Sequence, residues 1–137
     1  MNRVVSGGCL CGGAKFRIDG ELFMAANCHC SMCRKAHGAA FRPGALVKTE
    51  QFSWVRGEDL VKDYKSSPGM HRMFCRNCGS PLIARSDAHA GIIGVSLGTL
   101  DADPGIRPGA HWSVASKAPW FDITDNLPQY SSSPGKS

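Results

Sequence analysis

The chain has 137 residues, of which 42% are hydrophobic and 20% are charged, the size and composition of one globular domain. No apolar run approaches the roughly 20 residues of a membrane span, and residues 1–5 lack the apolar stretch of a secretory signal, so neither a membrane protein nor a secreted one is expected. The formal charge is +5, and this figure counts all seven cysteines as neutral.

Alternating apolar and polar residues predict short strands rather than long helices. Ala14, Phe16 and Ile18 alternate with charged residues after a glycine-rich turn, which is typical of a half-buried strand. Further strands or extended segments are expected at 52–54, 81–84, 92–97 and 111–123. Only Ser31–His37 and Glu58–Tyr64 predict helical turns. The fold class is therefore mainly β, with few short helical turns. Residues 130–137 hold too little apolar surface to pack, which predicts a disordered tail.

The seven cysteines lie in three short clusters, at 9 and 11, at 28, 30 and 33, and at 75 and 78. An odd number, the absence of an export signal and spacings that would strain a disulfide all favour metal binding in a reducing, cytoplasmic compartment. A Cys-x-x-Cys pair followed by Gly79 can face one ion across a tight turn. In a Cys-x-Cys pair on extended chain, both side chains point to one side.

Two zinc ions are the expected cofactors, in unequal sites. Two cysteine pairs complete one closed tetrahedral site of the structural kind, formed by Cys9, Cys11, Cys75 and Cys78. Three cysteines remain for a second ion with an open position, as in catalytic zinc sites: Cys28, Cys30 and Cys33. Alternatives stay open for this second cluster, namely a fourth ligand from His29 or His37, ordinary thiols beside a single zinc, or a redox dithiol.

An open zinc with three thiolates suits a substrate thiol better than water. Binding lowers the pKa of that thiol and holds its sulfur in place. Nearby basic residues could receive a carboxylate of an anionic thiol, although any single one is more often part of a solvated face; they are Arg34, Lys35, Arg42, Arg72 and Arg76. Seven thiolates and two Zn²⁺ lower the formal charge by three, to +2, so binding to nucleic acid is not favoured.

The motifs resemble the glutathione-dependent formaldehyde-activating enzyme family, whose domain also occurs in centromere protein V. The resemblance covers roughly residues 3–125, followed by the expected tail at 130–137. It is carried by Gly8–Gly13, Cys28–Lys35, Phe74–Pro81, Leu97–Asp101, His111 and Ser116–Trp120. It implies a zinc-binding β-tent fold of packed antiparallel sheets and the same division of the cysteines into four and three.

The resemblance also implies a zinc-dependent carbon–sulfur lyase activity, joining formaldehyde and glutathione as S-hydroxymethylglutathione. The catalytic residues would be Cys28, Cys30 and Cys33, with His37 or His111 as candidate donors to the new alkoxide. Two other functions remain open: a zinc-stabilised module that binds protein or nucleic acid, and a thiol or zinc carrier without turnover.

Overall fold

The computed structural model describes residues 3–134, which form ten strands, one α-helix and several 3-10 turns. In chain order the strands and the helix are β1 Val4–Gly8, β2 Lys15–Asp19, β3 Phe23–Cys28, α1 Ser31–His37, β4 Arg42–Lys48, β5 Phe52–Arg56, β6 Val61–Ser67, β7 Met70–Cys75, β8 Pro81–Ser86, β9 Ile92–Ser96 and β10 His111–Trp112. None of the described helices is long and apolar enough to cross a membrane.

The strands form two sheets. The smaller sheet has the order β1-β2-β5 and the larger has the order β10-β3-β4-β9-β8-β7-β6. All neighbouring strands are antiparallel except β10, which runs parallel to β3. The expected mainly β fold of packed antiparallel sheets is therefore confirmed, with one parallel pair at the edge that carries residue 28.

The main core lies between the two sheets. Phe16 and Ile18 on β2 are fully buried, as are Val47 on β4 and Val95 on β9. Within the smaller sheet the Phe16 ring stacks on Phe52 of β5, with centroids 5.1 Å apart. These residues belong to the same apolar cluster as Val47 and Val95, so the inward residues of both sheets share one layer. Because side chains alternate along a strand, the neighbours of these residues in the larger sheet lie on its opposite, outer face.

The predicted strands at 14–18, 52–54, 81–84 and 92–97 are confirmed as β2, β5, β8 and β9, and the helical turn at 31–37 is confirmed as α1. The helical turn expected over Glu58–Tyr64 is wrong beyond Leu60, because the chain enters β6 at Val61 and pairs with β7. In the segment 111–123, only His111–Trp112 is a strand.

The segment expected to be a disordered tail is ordered in its described part. Tyr130 N donates to His111 O at 2.8 Å, and Val114 N donates to Tyr130 O at 2.9 Å. Ser133 is 7% exposed, and its hydroxyl contacts Ser113 Oγ at 2.5 Å. Residues 130–134 therefore pack along β10 through backbone bonds rather than apolar side chains. Residues 135–137 lie outside the described part of the chain.

Candidate metal centres and the adjoining cavity

The first cysteine cluster joins the ends of two distant strands. Cys9 and Cys11 follow β1, Cys75 ends β7, and Cys78 lies in the turn to β8. Their four sulfur atoms lie within 4.8 Å of one another, with Cys9 and Cys11 3.5 Å apart and Cys11 and Cys75 3.9 Å apart. Gly79 closes the turn with φ at 81° and donates its N–H to Cys75 O at 2.7 Å, as expected from its place after the pair.

Hydrogen bonds to sulfur stabilise thiolates in this cluster, although the pKa of Cys75 itself is raised. Backbone N–H groups donate to sulfur from Ala14 to Cys9 at 3.3 Å and from Gly13 to Cys11 at 3.4 Å. Hydrogen bonds from Ser80 lower the pKa of Cys78 to about 5. A tetrahedral Zn²⁺ with bonds of about 2.3 Å places its sulfur ligands just under 4 Å apart. The four cysteines therefore fit a closed metal site.

The second cluster lies where β3 passes into α1. Cys28 ends the strand, Cys30 is the N-cap residue of α1, and Cys33 lies in the first turn of the helix. Cys33 N donates to Cys30 Sγ at 3.2 Å, and α1 ends at Gly38, whose φ is 59°. The three sulfur atoms lie within 4.8 Å of one another, and all three residues are buried.

The second cluster requires a cation if all its thiols are to ionise. The sulfurs of Cys28 and Cys30, together with burial, raise the pKa of Cys33 far above its ordinary value. Three buried thiolates so close together repel one another unless a metal ion compensates their charge. Among residues 3–134, no fourth His, Cys, Asp or Glu joins this group. The donor set therefore fits a metal ion with one position left for another ligand.

A chain of three polar side chains, of which the two imidazoles are buried, supports the second cluster from behind. His29 Nε2 and His111 Nδ1 are 2.8 Å apart, and His111 Nε2 lies 3.0 Å from Asp125 Oδ2. Both imidazoles are buried, and the His29 ring contacts Phe41 with centroids 5.0 Å apart. His29 N also donates to the carbonyl of Trp112 at 2.8 Å, so side chain and backbone both fix the loop between Cys28 and Cys30.

A cavity of about 610 Å³ lies in front of the second cluster, between α1 and the outer face of the larger sheet. Arg72 of β7 lines it, and both of its terminal guanidinium nitrogens donate N–H hydrogen bonds to Cys33 Sγ, at 3.6 and 3.7 Å. Lys35, His37 and Arg42 also line it. Burial, followed by the charges of Arg42 and Arg72, lowers the pKa of His37 to about 4, so its imidazole is neutral at pH 7.

The structure shows which of the residues proposed from the sequence lie at the second cluster and its cavity. His29 bonds His111 and does not join the three cysteines as a ligand, and His111 lies behind the cluster rather than in the cavity. Arg72 flanks the first cluster in sequence but belongs to the second in space, because residues three apart on a strand face opposite sides. Arg34 and Arg76 do not line the cavity, whereas Lys35 and Arg42 do.

Comparison with known proteins places this geometry in a family. The family model described as glutathione-dependent formaldehyde-activating enzyme matches residues 4–116, which include all seven cysteines. The chain belongs to this family. A protein of Halomonas elongata, named "putative glutathione-dependent formaldehyde-activating enzyme", is 26% identical over 128 residues, which cover 88% of this chain and 81% of that protein.

A solved structure also resembles this family member. The crystal structure of a Rhodobacter sphaeroides protein superposes with a TM-score of 0.61 at 26% sequence identity. The superposition covers 75% of this chain and 91% of the other. Two residues that contact the site lie beyond the part that the family model matches. They are Asp125, which bonds His111, and Ser133, whose hydroxyl lies 3.6 Å from Cys28 Sγ. Sequence reasoning missed both, because neither belongs to a local motif.

Proposed function

We propose that this family member is a zinc-dependent enzyme of the carbon–sulfur lyase type, acting on a small thiol adduct. In its specific form, the proposed reaction joins formaldehyde and glutathione as S-hydroxymethylglutathione. One observation carries the proposal: three buried cysteines have no fourth protein ligand among residues 3–134, and Arg72, which contacts Cys33, lines a cavity large enough for a small substrate. The family match and the printed name of the Halomonas relative support the choice of substrates.

The proposed zinc ligands form two sets. Cys9, Cys11, Cys75 and Cys78 hold a structural ion, and Cys28, Cys30 and Cys33 hold an exchangeable one and are the proposed catalytic residues. An ion held by these three cysteines would lower the pKa of a thiol that takes its open position and orient the sulfur as a nucleophile. Binding by seven thiolates requires that they stay reduced, which suits the cytoplasmic compartment expected from the sequence.

The residues around the second cluster have separate tasks in this reaction. The thiol S–H and the C=O bond of formaldehyde are replaced by a C–S bond and an O–H bond, so the proton leaves sulfur and ends on oxygen. Arg72, which donates to Cys33, stabilises the negative charge that gathers on sulfur. His37 lines the cavity and is neutral at pH 7, and its lowered pKa makes it a weak base, so its proposed task is to pass the thiol proton on to the new alkoxide oxygen rather than to hold it.

The test is the rate of S-hydroxymethylglutathione formation, measured by NMR exchange between ¹³C-formaldehyde and glutathione. We expect zinc-loaded protein, with two zinc ions per chain by metal analysis, to exceed the uncatalysed rate. The Cys30→Ser variant is expected to lose the excess rate and one zinc ion. The control is Arg17→Gln, because Arg17 is an exposed residue of the smaller sheet that pairs with Asp19.

A rate equal to the uncatalysed one, with both zinc ions present, rejects the enzyme. Binding of glutathione without any increase in rate would instead favour a thiol carrier. Binding of polynucleotide that weakens steeply with salt would favour a nucleic-acid module.

A further inference from the structure

The cavity beside the second cluster carries positive charge that no carboxylate balances. Lys35, Arg42 and Arg72 line it, and no Asp or Glu does. A smaller cavity of about 310 Å³ adjoins it at Arg42 and also has no acidic lining residue. Among the described residues, none of these three cations lies within ion-pair distance of a carboxylate.

The sheet holds the Arg42 guanidinium flat against its outer face. Arg42 Nε donates to Ser96 Oγ at 3.3 Å. A Cβ added at Gly44 would lie 2.8 Å from Arg42 Nη1, and one added at Gly94 would lie 3.5 Å from both terminal nitrogens. Two glycines on adjacent strands therefore form the slot in which this group lies. Its Nη2 atom is buried and has no hydrogen-bond partner among residues 3–134.

The charges indicate what kind of ligand fits the cavity. Three thiolates and one Zn²⁺ together carry a charge of −1, and a substrate thiolate makes it −2. Arg42, Arg72 and Lys35 supply +3, so one positive charge is left over when the substrate is bound as a thiolate and carries no other charge. A buried guanidinium nitrogen without a partner is costly, and a carboxylate is the group that satisfies it best.

We propose that Arg42 is the specificity residue that binds a carboxylate of the thiol substrate. The inference rests on the proposed thiol chemistry and assigns the residue that distinguishes carboxylate-bearing thiols from neutral ones. Arg42 forms the boundary between the two cavities, so a carboxylate held there lies in the same space as a thiol directed at the Cys28, Cys30 and Cys33 cluster.

The test compares two thiols of the same shape by isothermal titration of the zinc-loaded protein. The probes are 3-mercaptopropionate and its neutral amide, 3-mercaptopropionamide, with glutathione as a larger anionic thiol. We expect wild-type protein to bind the carboxylate about tenfold to a hundredfold tighter than the amide, as one charge-assisted hydrogen bond allows. In Arg42→Gln the preference should fall to about one, with zinc content unchanged. Arg17→Gln is the matched control and should keep the wild-type preference.

A second variant changes the position of the Arg42 guanidinium without removing its charge. In Gly44→Ala the new methyl group displaces the guanidinium, so we expect the preference to fall at least threefold although Arg42 is still present. This variant decides the question if Arg42→Gln does not fold. Equal binding of carboxylate and amide by wild-type protein overturns the inference, and so does loss of zinc from the second cluster in Arg42→Gln.

The inference and the proposed function can fail separately. A carboxylate preference that depends on Arg42, without any excess rate of adduct formation, would support the binding site and reject the enzyme. An excess rate with no preference between carboxylate and amide would support the enzyme and reject the binding site at Arg42.

Discussion

Replacing His111 with alanine tests the buried imidazole pair behind the second cluster. In the wild-type protein the His111 ring is 2% exposed and bonds His29 at 2.8 Å and Asp125 at 3.0 Å. His29 Nδ1 has no partner among the described residues, so the substitution leaves both nitrogens of a buried ring without one. An unsatisfied buried polar group costs about 1–3 kcal/mol, and truncation of a buried ring adds about 2 kcal/mol. We expect the free energy of unfolding to fall by about 3–5 kcal/mol.

The assay is urea unfolding of zinc-loaded protein at fixed zinc concentration, followed by chelator-driven release of zinc. Alkylation and mass spectrometry identify which cysteines are exposed first. We expect Cys28 and Cys30 to react earlier in the variant than in wild-type protein, because His29 lies between them. Asp125→Asn is the control and should cost much less, since the Asp125 side chain is 47% exposed. An unfolding midpoint of His111→Ala equal to that of wild-type protein would refute this reasoning. Earlier release of zinc from the cluster of Cys9, Cys11, Cys75 and Cys78 would do so as well.

Two further predictions concern the fold. Gly57 has φ at 73°, and a Cβ there would lie 2.0 Å from the carbonyl oxygen of Gly13, so Gly57→Ala should lower the free energy of unfolding in urea by about 3 kcal/mol or more. In the control, Gly91→Ala, the new methyl group meets nothing within 4 Å and should change stability by less than about 0.5 kcal/mol. Equal effects of the two substitutions would contradict the steric argument. A hydrogen bond from His71 holds the pKa of Asp87 below its ordinary value, so this carboxylate stabilises the fold above about pH 4 and its contribution is lost as the pH falls through the lowered pKa. Asp87→Asn should therefore lower the urea midpoint at pH 7 and flatten its decline in acid, and an unchanged acid slope would count against it.

The sequence predicts some strands and misses others for physical reasons. The strand β2 has one buried and one exposed face, so its residues alternate and it can be found. In contrast, β6 is mostly exposed at the edge of the larger sheet and has no apolar alternation. The strand β4 contains Pro43 and Gly44, which are typical of loops. Gly44 pairs with β3 and β9, and a glycine fits there because the Arg42 guanidinium lies over it. These contacts cannot be read from local sequence.

The candidate site shows the same division between local and distant information. Each cysteine cluster contains short motifs, so both clusters could be predicted from spacing. The contact between Arg72 and Cys33 joins residues 39 apart, and the pair His29 and His111 joins residues 82 apart. Such contacts depend on sheet order and register. The basic residues of the cavity were visible singly in the sequence, but only the fold shows which three share one space.

The two clusters should contribute unequally to stability, because they close loops of very different length. The first links Cys11 to Cys75 across 64 positions, and Cys9 and Cys75 also belong to the main core. The second spans six residues, 28–33, and packs with Trp112 apart from that core. Cross-linking a long loop removes far more entropy from the unfolded chain than closing a short one. Metal at the first cluster would therefore stabilise the whole fold, whereas metal at the second could exchange while both sheets stay folded. In the proposed function, this difference would leave Cys28, Cys30 and Cys33 available for a substrate thiol that takes part in the coordination.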